Sequence, residues 1–556
     1  SFRGLHDSIV NYGGNKLPEA IICCHEEISV AIAHGYAKAA QKPMAAIVHN
    51  VVGLQHASMA IYNAWCDRVP MMVLGGTGPM DATARRPWID WVHTALVQGN
   101  LVRDFVKWDD QPHNLASVPE SFARGYQLTT AEPQAPVYIC YDTTIQEEPV
   151  HETPALPLPE KVKVQGTTCP SPLDVQNIAA WLMEAKHPVI IADYFGRNPE
   201  AVPHLVRLVE YCGAAFLDKG GRMNFPNEHP QDLTGAEAEM LAQADCVLAL
   251  DVHDLYGALH PGPQGHGSQT DILSPGARVI HVTLMPHLVR SWASDFERLQ
   301  PTDLTVLADS HETVIQLVKE CQRLVEQEKP RAAEQRMQRR RKLSDRHHQL
   351  RDAWQLDIKL RSNGSSLTPA ILASVIGSVI KDHDWALVNG KLRGWPRKLW
   401  GWKKTACYLG GDAGGGVGYG MGASIGATLA WKNTERLCIN IQSDGDLLYT
   451  PSALWTAAHH QIPLLTVMYN NQSYFNSEQH ALHMAKSRNR PEENSGIGTQ
   501  IRNPEISFVQ IAQGMGVQAL GPCRDADELD EATREAVRIV TEERRPVLVD
   551  TVVRDD

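Results

Sequence analysis

The sequence predicts an α/β protein built from three doubly wound parallel-sheet domains. Short apolar runs alternate with helix-like segments along most of the chain, which is the pattern of strand-helix-strand units. The length of 556 residues also exceeds what one core normally organises, so about three domains are expected. We therefore divide the chain into residues 1–146, 147–165, 166–326, 327–365 and 366–556.

The first domain, residues 1–146, contains three predicted strands and a helix between the first two. The strands are "MAAIVH" (44–49), "PMMVLGG" (70–76) and "APVYICYD" (135–142), and the helix is predicted at 53–66. The segment begins with a helix-like stretch and no strand before it, so we expect the domain to lack its first strand. Residues 147–165 are rich in proline and are predicted to form a linker.

The second and third domains repeat the alternation. Predicted strands lie at 187–194, 244–252 and 277–284 in a Rossmann-like middle domain, and at 385–390, 436–443, 463–471 and 545–553 in the last domain. Residues 327–365 are charged and helix-prone, which predicts an exposed connector. The basic cluster at 339–342 is either a nucleic-acid patch or a solvated helix face, and the nearby acidic residues favour the second interpretation.

Composition excludes several classes of function. The net charge of −12 argues against a nucleic-acid partner, because binding phosphates needs a positive surface. No run approaches the roughly 20 apolar residues that span a bilayer, and no cleavable signal is visible. The eleven cysteines show neither disulfide-like nor metal-like spacing. We expect a cytoplasmic protein with reduced thiols and no membrane partner.

The stretch "SDGDLLYTPSALWTAAHHQIPLLTVMYNNQS" (443–473) places oxygen ligands at the ends of two neighbouring strands. Asp444 follows the first strand and Asn471 ends the second, and ligands bind at the carboxyl ends of strands in such sheets. The helix between them is predicted to begin at Thr450-Pro451. The side-chain oxygens of Asp444 and Asn471, with the backbone carbonyl of Ser473, are ligands that Mg²⁺ prefers. The alternative is an ordinary turn-capping aspartate and a loop asparagine.

This stretch resembles the cofactor motif of the thiamin diphosphate-dependent enzymes, Gly-Asp-Gly followed about two dozen residues later by Asn-Asn. Ser443 replaces the first glycine. The resemblance, to enzymes such as acetolactate synthase and benzoylformate decarboxylase, implies that thiamin diphosphate and Mg²⁺ are bound here. The cofactor-binding residues so implied are Asp444, Gly445, Asp446, Asn471, Ser473 and Tyr474. Asp446 departs from the pattern, since relatives often carry a small residue there, and it adds negative charge beside the diphosphate.

Two further stretches resemble the same superfamily. "HEEISVAIAHGYAK" (25–38) marks Glu26 as the glutamate that activates the cofactor, although an amphipathic helix with an acidic first turn explains it equally well alone. "GGDAGGGVGYGMGASIGATLA" (410–430) marks Val417 as the apolar support beneath the cofactor, with the carbonyl of Gly416 facing its aminopyrimidine. Asn389, at the end of a predicted strand, is also expected to contact the cofactor.

The resemblance also implies the organisation and the reaction. Residues 1–146 would bind the pyrimidine and residues 366–556 the diphosphate, in a homodimer or homotetramer with the active site between subunits. The implied reaction cleaves or forms a C–C bond next to a carbonyl, as a lyase or transferase: a 2-oxo acid decarboxylase, a carboligase or an acyloin lyase. FAD stays possible but unsupported, because the middle domain has no Gly-x-Gly-x-x-Gly fingerprint.

Alternatives and the substrate stay open. A 2-hydroxyacyl-CoA lyase, acting on an acyl-CoA, is the nearest rival; a catalytically silent scaffold is disfavoured by the presence of Glu26, Asp444 and Asn471 together. Polar residues in three stretches are expected to contact the substrate or to take part in catalysis: His49, Asn50 and Gln55 in "HNVVGLQH", His93, and Tyr474. The alternative for each of them is an ordinary polar residue of a surface loop. The small-molecule substrate is expected to be a 2-oxo acid or a 2-hydroxy ketone. Three tryptophans, Trp395, Trp400 and Trp402, are predicted to serve packing.

Overall fold

The computed structural model describes residues 2–162, 166–260, 272–285, 299–361 and 366–554. These form two compact units. Unit 1 comprises Ser1–Val164, Arg361–Pro396 and Gly411–Asp556, and unit 2 comprises Gln165–Leu360 and Arg397–Gly410. Within the described ranges, no helix is both long enough and apolar enough to cross a membrane.

The first sheet of unit 1 has four parallel strands in the order β1-β2-β4-β3. Every residue of β2 and of β4 is buried, as expected for central strands covered on both faces. Sequence patterns missed β3, because it is only three half-buried residues long. The strands are β1 (Met44–Ile47), β2 (Met71–Thr77), β3 (Trp108–Asp110) and β4 (Val137–Asp142); the helices are α1 (Arg3–Asp7), α2 (Glu26–Ala40), α3 (Val51–Cys66), α4 (Asp90–His93), α5 (Val118–Thr130), α6 (Thr143–Glu147) and α7 (Pro159–Val162).

Unit 2 contains a five-stranded parallel sheet in the order β6-β5-β7-β8-β9. All five residues of β5 and of β7 are buried, so the centre of this sheet is also covered on both faces. The strands are β5 (Pro188–Ala192), β6 (Ala215–Asp218), β7 (Cys246–Leu250), β8 (Arg278–Val282) and β9 (Leu304–Val306); the helices are α8 (Pro172–Glu184), α9 (Val202–Cys212), α10 (Glu237–Gln243), α11 (Leu255–Leu259), α12 (Ser310–Glu326) and α13 (Pro330–Arg361).

The predicted connector at 327–365 is a long helix, α13, and it packs on unit 2 instead of standing exposed. Leu350 is buried in the core of this unit, and Nδ1 of His347 lies 2.8 Å from the carbonyl oxygen of Asp232. Arg339, from the predicted basic cluster, donates to the carbonyls of Cys212 (2.6 Å) and Gly213 (2.9 Å). This arginine therefore anchors the helix and is not available as part of a nucleic-acid surface. Residues 362–365 of the predicted connector, and 163–165 of the predicted linker, lie outside the described residues.

The second sheet of unit 1 has five parallel strands in the order β10-β11-β12-β14-β13. Together with the other two sheets it confirms the predicted three-sheet α/β architecture. The strands are β10 (Trp385–Asn389), β11 (Leu437–Ser443), β12 (Leu464–Tyr469), β13 (Gln518–Cys523) and β14 (Val547–Thr551); the helices are α14 (Pro369–Ile380), α15 (Trp395–Leu399), α16 (Gly420–Ala430), α17 (Asp444–Tyr449), α18 (Ala453–His459), α19 (Phe475–Ser487), α20 (Phe508–Gly514) and α21 (Ala526–Arg538).

The helix after β11 begins earlier than predicted. It starts at Asp444 itself, directly after the strand, and Thr450-Pro451 separates α17 from α18. The hydroxyl of Thr450 donates to the carbonyl of Gly418 at 3.0 Å and so does not cap a helix. A second helix, α18, begins at Ala453, shortly after the predicted start, but the predicted cap was wrong because the side chain of Thr450 makes a tertiary contact to the glycine-rich segment.

The helices α2 and α16 pack against each other inside unit 1 at very close range. A Cβ added to Gly426 would lie 1.9 Å from the carbonyl oxygen of Ile32 and 2.7 Å from the amide nitrogen of Tyr36. Only glycine allows two helix backbones to approach this closely. The contact places the first residues of α2 beside the glycine-rich segment that leads into α16.

The three tryptophans between 395 and 402 are buried, as their predicted packing role requires. In unit 2 the ring of Trp402 lies 4.7 Å from the ring of Tyr408, and the guanidinium of Arg397 lies over it at 5.4 Å. The carbonyl of Trp400 accepts a hydrogen bond from the side chain of Asn227 at 2.8 Å. These contacts are internal to the fold, so they do not form an open aromatic pocket.

Candidate active site

Glu26 stands at the first position of α2, and its neighbours are His25, His56 and Gly53. The side chain of His25 caps the helix by accepting the N–H of Glu27 at 3.2 Å. Oε2 of Glu26 lies 3.2 Å from Nδ1 of His56 on α3. A Cβ added to Gly53 would lie 2.8 Å from Oε1 of Glu26, so only glycine leaves room for the carboxylate over α3.

His49 and Asn50, between β1 and α3, lie beside the same glycine. A Cβ on Gly53 would also lie 2.6 Å from the Cβ of His49, which places this histidine next to Glu26. The ring of His49 meets the ring of His93 edge to face at 5.1 Å. Burial lowers the pKa of His49, and the nearby His93 lowers it further. The structure therefore brings together Glu26 and two of the predicted catalytic histidines.

Asn50 and Gln55 differ in their surroundings. Asn50 is 2% exposed, and its Oδ1 is buried with no hydrogen-bond partner among the described residues. A buried polar atom of this kind normally has a partner, which marks it as a group that can bind a ligand. Gln55, in contrast, is exposed on α3. The structure supports the placement of Asn50 in the site more directly than that of Gln55.

The second group of predicted residues lies at the carboxyl ends of β11 and β12, which are adjacent parallel strands. Oδ1 of Asp444 accepts the N–H of Gly445 at 2.8 Å, and Oδ2 accepts the N–H of Gln472 at 2.6 Å. Oδ1 of Asn471 accepts the N–H of Ser473 at 3.1 Å. Burial raises the pKa of Asp444 to about 6, although these backbone hydrogen bonds act to lower it. The turn thus holds the carboxylate, the amide oxygen and Ser473 together.

Tyr474 and Asn389 border this turn. The ring of Tyr474 packs so closely on Gly445 that a Cβ there would lie 2.5 Å from Cε1 of the ring. Asn389, at the end of β10, donates its side-chain N–H to Oδ1 of Asn440 at 2.9 Å and to the carbonyl of Ile441 at 3.3 Å. Asn389 therefore lies at the predicted edge of the sheet with its amide nitrogen directed at β11.

Asp446 has a structural partner that the sequence did not indicate. Its Oδ1 accepts the N–H of Gly418 at 2.7 Å, and its Oδ2 accepts the N–H of Gly420 at 3.0 Å and the side-chain amide of Gln442 at 2.5 Å. Burial raises the pKa of Asp446, and these hydrogen bonds oppose the shift. This carboxylate fastens the glycine-rich segment to the helix that follows β11, and its place beside the diphosphate stays a prediction.

The glycine-rich segment meets the first domain within one chain. The side chain of Asn63, on α3, donates to the carbonyl of Gly416 at 3.1 Å and accepts its N–H at 3.2 Å. We expected this carbonyl to face the aminopyrimidine, and the structure gives it a protein partner. Val417, the predicted support, follows directly and is half-buried. The first domain and the glycine-rich segment of the last domain thus meet inside unit 1, and the position of the active site between two subunits stays a prediction.

Glu27 lies at the same junction. A Cβ added to Gly418 would lie 2.6 Å from Oε1 of Glu27. Burial raises the pKa of Glu27 to about 7, and the negative charge of Asp446 adds to the effect. Two carboxyl groups therefore lie close to one glycine turn, which disfavours the ionised form of Glu27.

The residues fit the groups that the sequence motifs imply. The ends of β11 and β12, at Asp444 and at 471–473, offer only oxygen atoms as ligands. Such a set suits Mg²⁺ better than Zn²⁺ or a soft metal. Gly445 is buried, and the ring of Tyr474 packs on the face where a side chain would stand. The buried Oδ1 of Asn50 offers an acceptor near Glu26.

Sequence reasoning missed three residues of the site: His25, His56 and Asn63. The first two lie within the motifs at 25–38 and 49–56, but neither position has a role that the residue type alone reveals. Their proximity depends on how α2 crosses α3, which the sequence does not specify. Asn63 lies on a helix face whose partner, the glycine-rich segment, is about 350 residues away in the chain.

Comparison with protein families gives matches over three parts of the chain. Residues 8–99 match the N-terminal TPP (thiamine pyrophosphate, or thiamin diphosphate) binding domain of thiamine pyrophosphate enzymes. Residues 175–317 match the central domain, and residues 389–551 match the C-terminal TPP binding domain. The three models together cover more than half of the chain, in the order predicted.

Individual relatives are distant but similar over nearly their whole length. The chain is 24% identical to a benzoylformate decarboxylase of Pseudomonas aeruginosa, covering 99% of this chain and 96% of the relative. It is 22% identical to a probable acetolactate synthase large subunit of Methanocaldococcus jannaschii, covering 96% and 85%. The solved structure of a thiamine diphosphate-dependent 4-hydroxybenzoylformate decarboxylase of Rhodococcus jostii RHA1 superposes with a TM-score of 0.75 at 19% identity, covering 99% and 95%. The chain therefore belongs to the family of thiamine pyrophosphate enzymes.

Proposed function

We propose that this protein is a thiamin diphosphate- and Mg²⁺-dependent enzyme that cleaves or forms a C–C bond next to a carbonyl, as a 2-oxo acid decarboxylase or carboligase. The observation that carries the proposal is the meeting, within unit 1, of α2 with the glycine-rich segment that Asp446 fastens to α17. Glu26 begins α2, and Asp444, with its oxygen-only turn, begins α17.

In this proposal the second half of the site binds the cofactor. Asp444, Asn471 and Ser473 would hold Mg²⁺, and the metal would help to hold the diphosphate. Val417 would support the cofactor from below. When bound, thiamin diphosphate supplies an electron sink for breaking or forming the bond beside the substrate carbonyl.

Glu26 would hold a proton at its carboxyl oxygen, shared with the pyrimidine ring of the cofactor. Its position over Gly53 fixes the carboxylate against α3, and His56 orients Oε2. Positioned proton transfer of this kind contributes about 10²–10⁴-fold to a rate. The carboxylate must therefore release its contact with His56 or share it when the ring binds.

His49 would donate a proton from Nε2. Its Nδ1 accepts the backbone N–H of Asn50 at 2.8 Å, and a neutral imidazole that accepts at one nitrogen carries its proton on the other. Burial lowers the pKa of His49, which favours the neutral form. His93, edge to face with it, would help to position the ring, and the buried Oδ1 of Asn50 would accept a hydrogen bond from the substrate or the cofactor.

The substitution Glu26→Gln tests the proposal. It keeps the shape of the side chain but cannot hold a transferable proton. We expect turnover to fall by about 10²-fold or more, with thiamin diphosphate and Mg²⁺ still bound. His113→Ala, which changes an exposed histidine, provides the control. Near-normal turnover of Glu26→Gln would contradict the role of Glu26.

Substrate identity would come from product analysis with a panel of 2-oxo acids and 2-hydroxy ketones. Activity on 2-hydroxyacyl-CoA thioesters with none on 2-oxo acids would establish the alternative, a 2-hydroxyacyl-CoA lyase. We further propose a homodimer or homotetramer, and sedimentation of the cofactor-loaded protein would measure its oligomeric state.

A further inference from the structure

We infer that His25, Glu26 and His56 form a second cation site, specific for a divalent transition ion such as Zn²⁺ or Co²⁺ and distinct from the oxygen-lined site at Asp444. One ligand atom from each of the three residues lies within 4.8 Å of the other two. The ligands come from the first residues of α2 and from α3, two helices that pack together in unit 1.

The donor set selects the ion. Two imidazole nitrogens and one carboxylate oxygen are the ligands of many Zn²⁺ sites, with water at the remaining position. Mg²⁺ prefers an octahedron of oxygen atoms and binds such a set poorly. The two candidate sites of this chain therefore differ in chemistry as well as in place.

The three ligand atoms need to move only slightly closer together to bind an ion. In a tetrahedral Zn²⁺ site with metal–ligand distances of about 2.0–2.1 Å, neighbouring ligand atoms lie about 3.3 Å apart. The contact between Oε2 of Glu26 and Nδ1 of His56 is already 3.2 Å. The rings of His25 and His56 are stacked at 4.9 Å and 19°, so one ring must turn for both nitrogens to face an ion.

His56 has room to make that turn, and an ion can reach the site. The side chain of His56 is 57% exposed and that of Glu26 is 23% exposed. His25 is held by its cap hydrogen bond to the N–H of Glu27, which at 3.2 Å is at the long end of the normal range. An ion bound at Nδ1 of His25 would replace this bond.

Occupation of the site would inhibit the enzyme. This consequence rests on the proposed function, because it follows from the role of Glu26 in activating the cofactor. A carboxylate bound to a transition ion is no longer available to share a proton with the pyrimidine. The ion would therefore inhibit turnover without displacing Mg²⁺ from Asp444.

The test is a titration of the full, metal-stripped chain with Co²⁺ alone, followed by visible absorption, and then displacement by Zn²⁺. We expect one high-affinity Co²⁺ site per chain, with an absorption spectrum typical of Co²⁺ bound by nitrogen and oxygen ligands. His56→Ala should weaken binding by at least about tenfold, since even a supporting residue of a metal site contributes that much. His113→Ala, an exposed histidine elsewhere in unit 1, should leave the affinity unchanged.

Controls distinguish binding at this site from binding elsewhere on the chain. Circular dichroism and the unfolding midpoint establish that each variant is folded, and Glu26→Gln provides a second variant that should also weaken binding. Equal Co²⁺ affinity in the parent and in His56→Ala would overturn the site. Loss of binding in Cys24→Ser but not in His56→Ala would overturn it as well, because the ligand would then be the neighbouring exposed thiol.

The same variants distinguish the failure of this site from the failure of the proposed function. Inhibition by Zn²⁺ that weakens in His56→Ala supports both. If Co²⁺ binding depends on His56 but Glu26→Gln turns over normally, the metal site stands and the proposed role of Glu26 fails.

Discussion

The hydrogen bonds of Asp446 lead to a prediction about local stability. Its carboxylate accepts the backbone amides of Gly418 and Gly420, at 2.7 and 3.0 Å, and so joins the glycine-rich segment to α17. The substitution Asp446→Ala removes both acceptors. Each amide then opens to solvent more easily, while the strands on either side keep their own hydrogen bonds.

The magnitude follows from the kind of bond that is lost. A hydrogen bond to a charged group contributes about 1.5–3 kcal/mol, and about 1.4 kcal/mol is a factor of ten in an equilibrium. The amides of Gly418 and Gly420 should therefore exchange with solvent about 10–100 times faster in Asp446→Ala. Asp446→Asn keeps one acceptor oxygen and should accelerate one amide more than the other.

The assay is native-state hydrogen exchange, resolved to peptides that contain residues 418–420. Asp530→Ala, which removes a half-buried carboxylate paired with Arg534 on α21, is the control and should leave these peptides unchanged. Unchanged exchange at 418–420 in Asp446→Ala would show that the carboxylate does not hold the segment. Our explanation of why an aspartate stands where relatives often carry a small residue would then be wrong.

Two further predictions concern the junction between α2 and the last domain. Since burial raises the pKa of Glu27 from 4.5 to about 7, the folded state favours the neutral acid; the stability it contributes is present below pH 4.5 and is lost as the pH rises through 7. The stability of Glu27→Gln relative to the parent, in metal-free buffer, should therefore increase between about pH 5 and 8, by about 1–2 kcal/mol once the partial exposure of Glu27 is allowed for. If urea unfolding gave the same stability difference between the two proteins at both pH values, this would be contradicted. Gly426→Ala places a methyl group 1.9 Å from a backbone oxygen of α2, so the unfolding midpoint should fall by an amount equivalent to about 1–3 kcal/mol. Gly514→Ala, at a helical glycine with open space around it, should hold or raise the midpoint, and equal effects of the two alanines would refute the packing argument.

The apolar strands could be predicted from the sequence because their signal is local. Runs such as those at 70–76 and 436–443 are continuous, buried on both faces and bounded by turn residues, so periodicity alone locates β2 and β11. Four strands were missed: β3 and β9 are three residues long, β6 is a buried run of only four residues, and β13 is half-buried or exposed at five of its six positions. Their conformation depends on pairing with a neighbouring strand, which is not a local property.

In the candidate site, too, local features could be predicted from the sequence and contacts between distant elements could not. Asp444, Asn471 and Glu26 could be identified because a spacing within one segment, or a short motif, carries their chemistry. The partners of Asp446 and the cluster of His25 with His56 could not, because each depends on a contact between distant elements. The role of Thr450 could not be predicted for the same reason, since its hydroxyl makes a tertiary hydrogen bond instead of a cap.

The most direct test of the central claim is calorimetric titration of the metal-stripped protein with thiamin diphosphate, with and without Mg²⁺. The account predicts one cofactor bound per chain when Mg²⁺ is present, and little binding in its absence or in Asp444→Ala, with the fold of that variant verified by its unfolding midpoint. No binding by the parent with excess Mg²⁺, or equally tight binding by Asp444→Ala, would contradict the assignment of the strand ends at Asp444 and Asn471 as the site that holds the diphosphate.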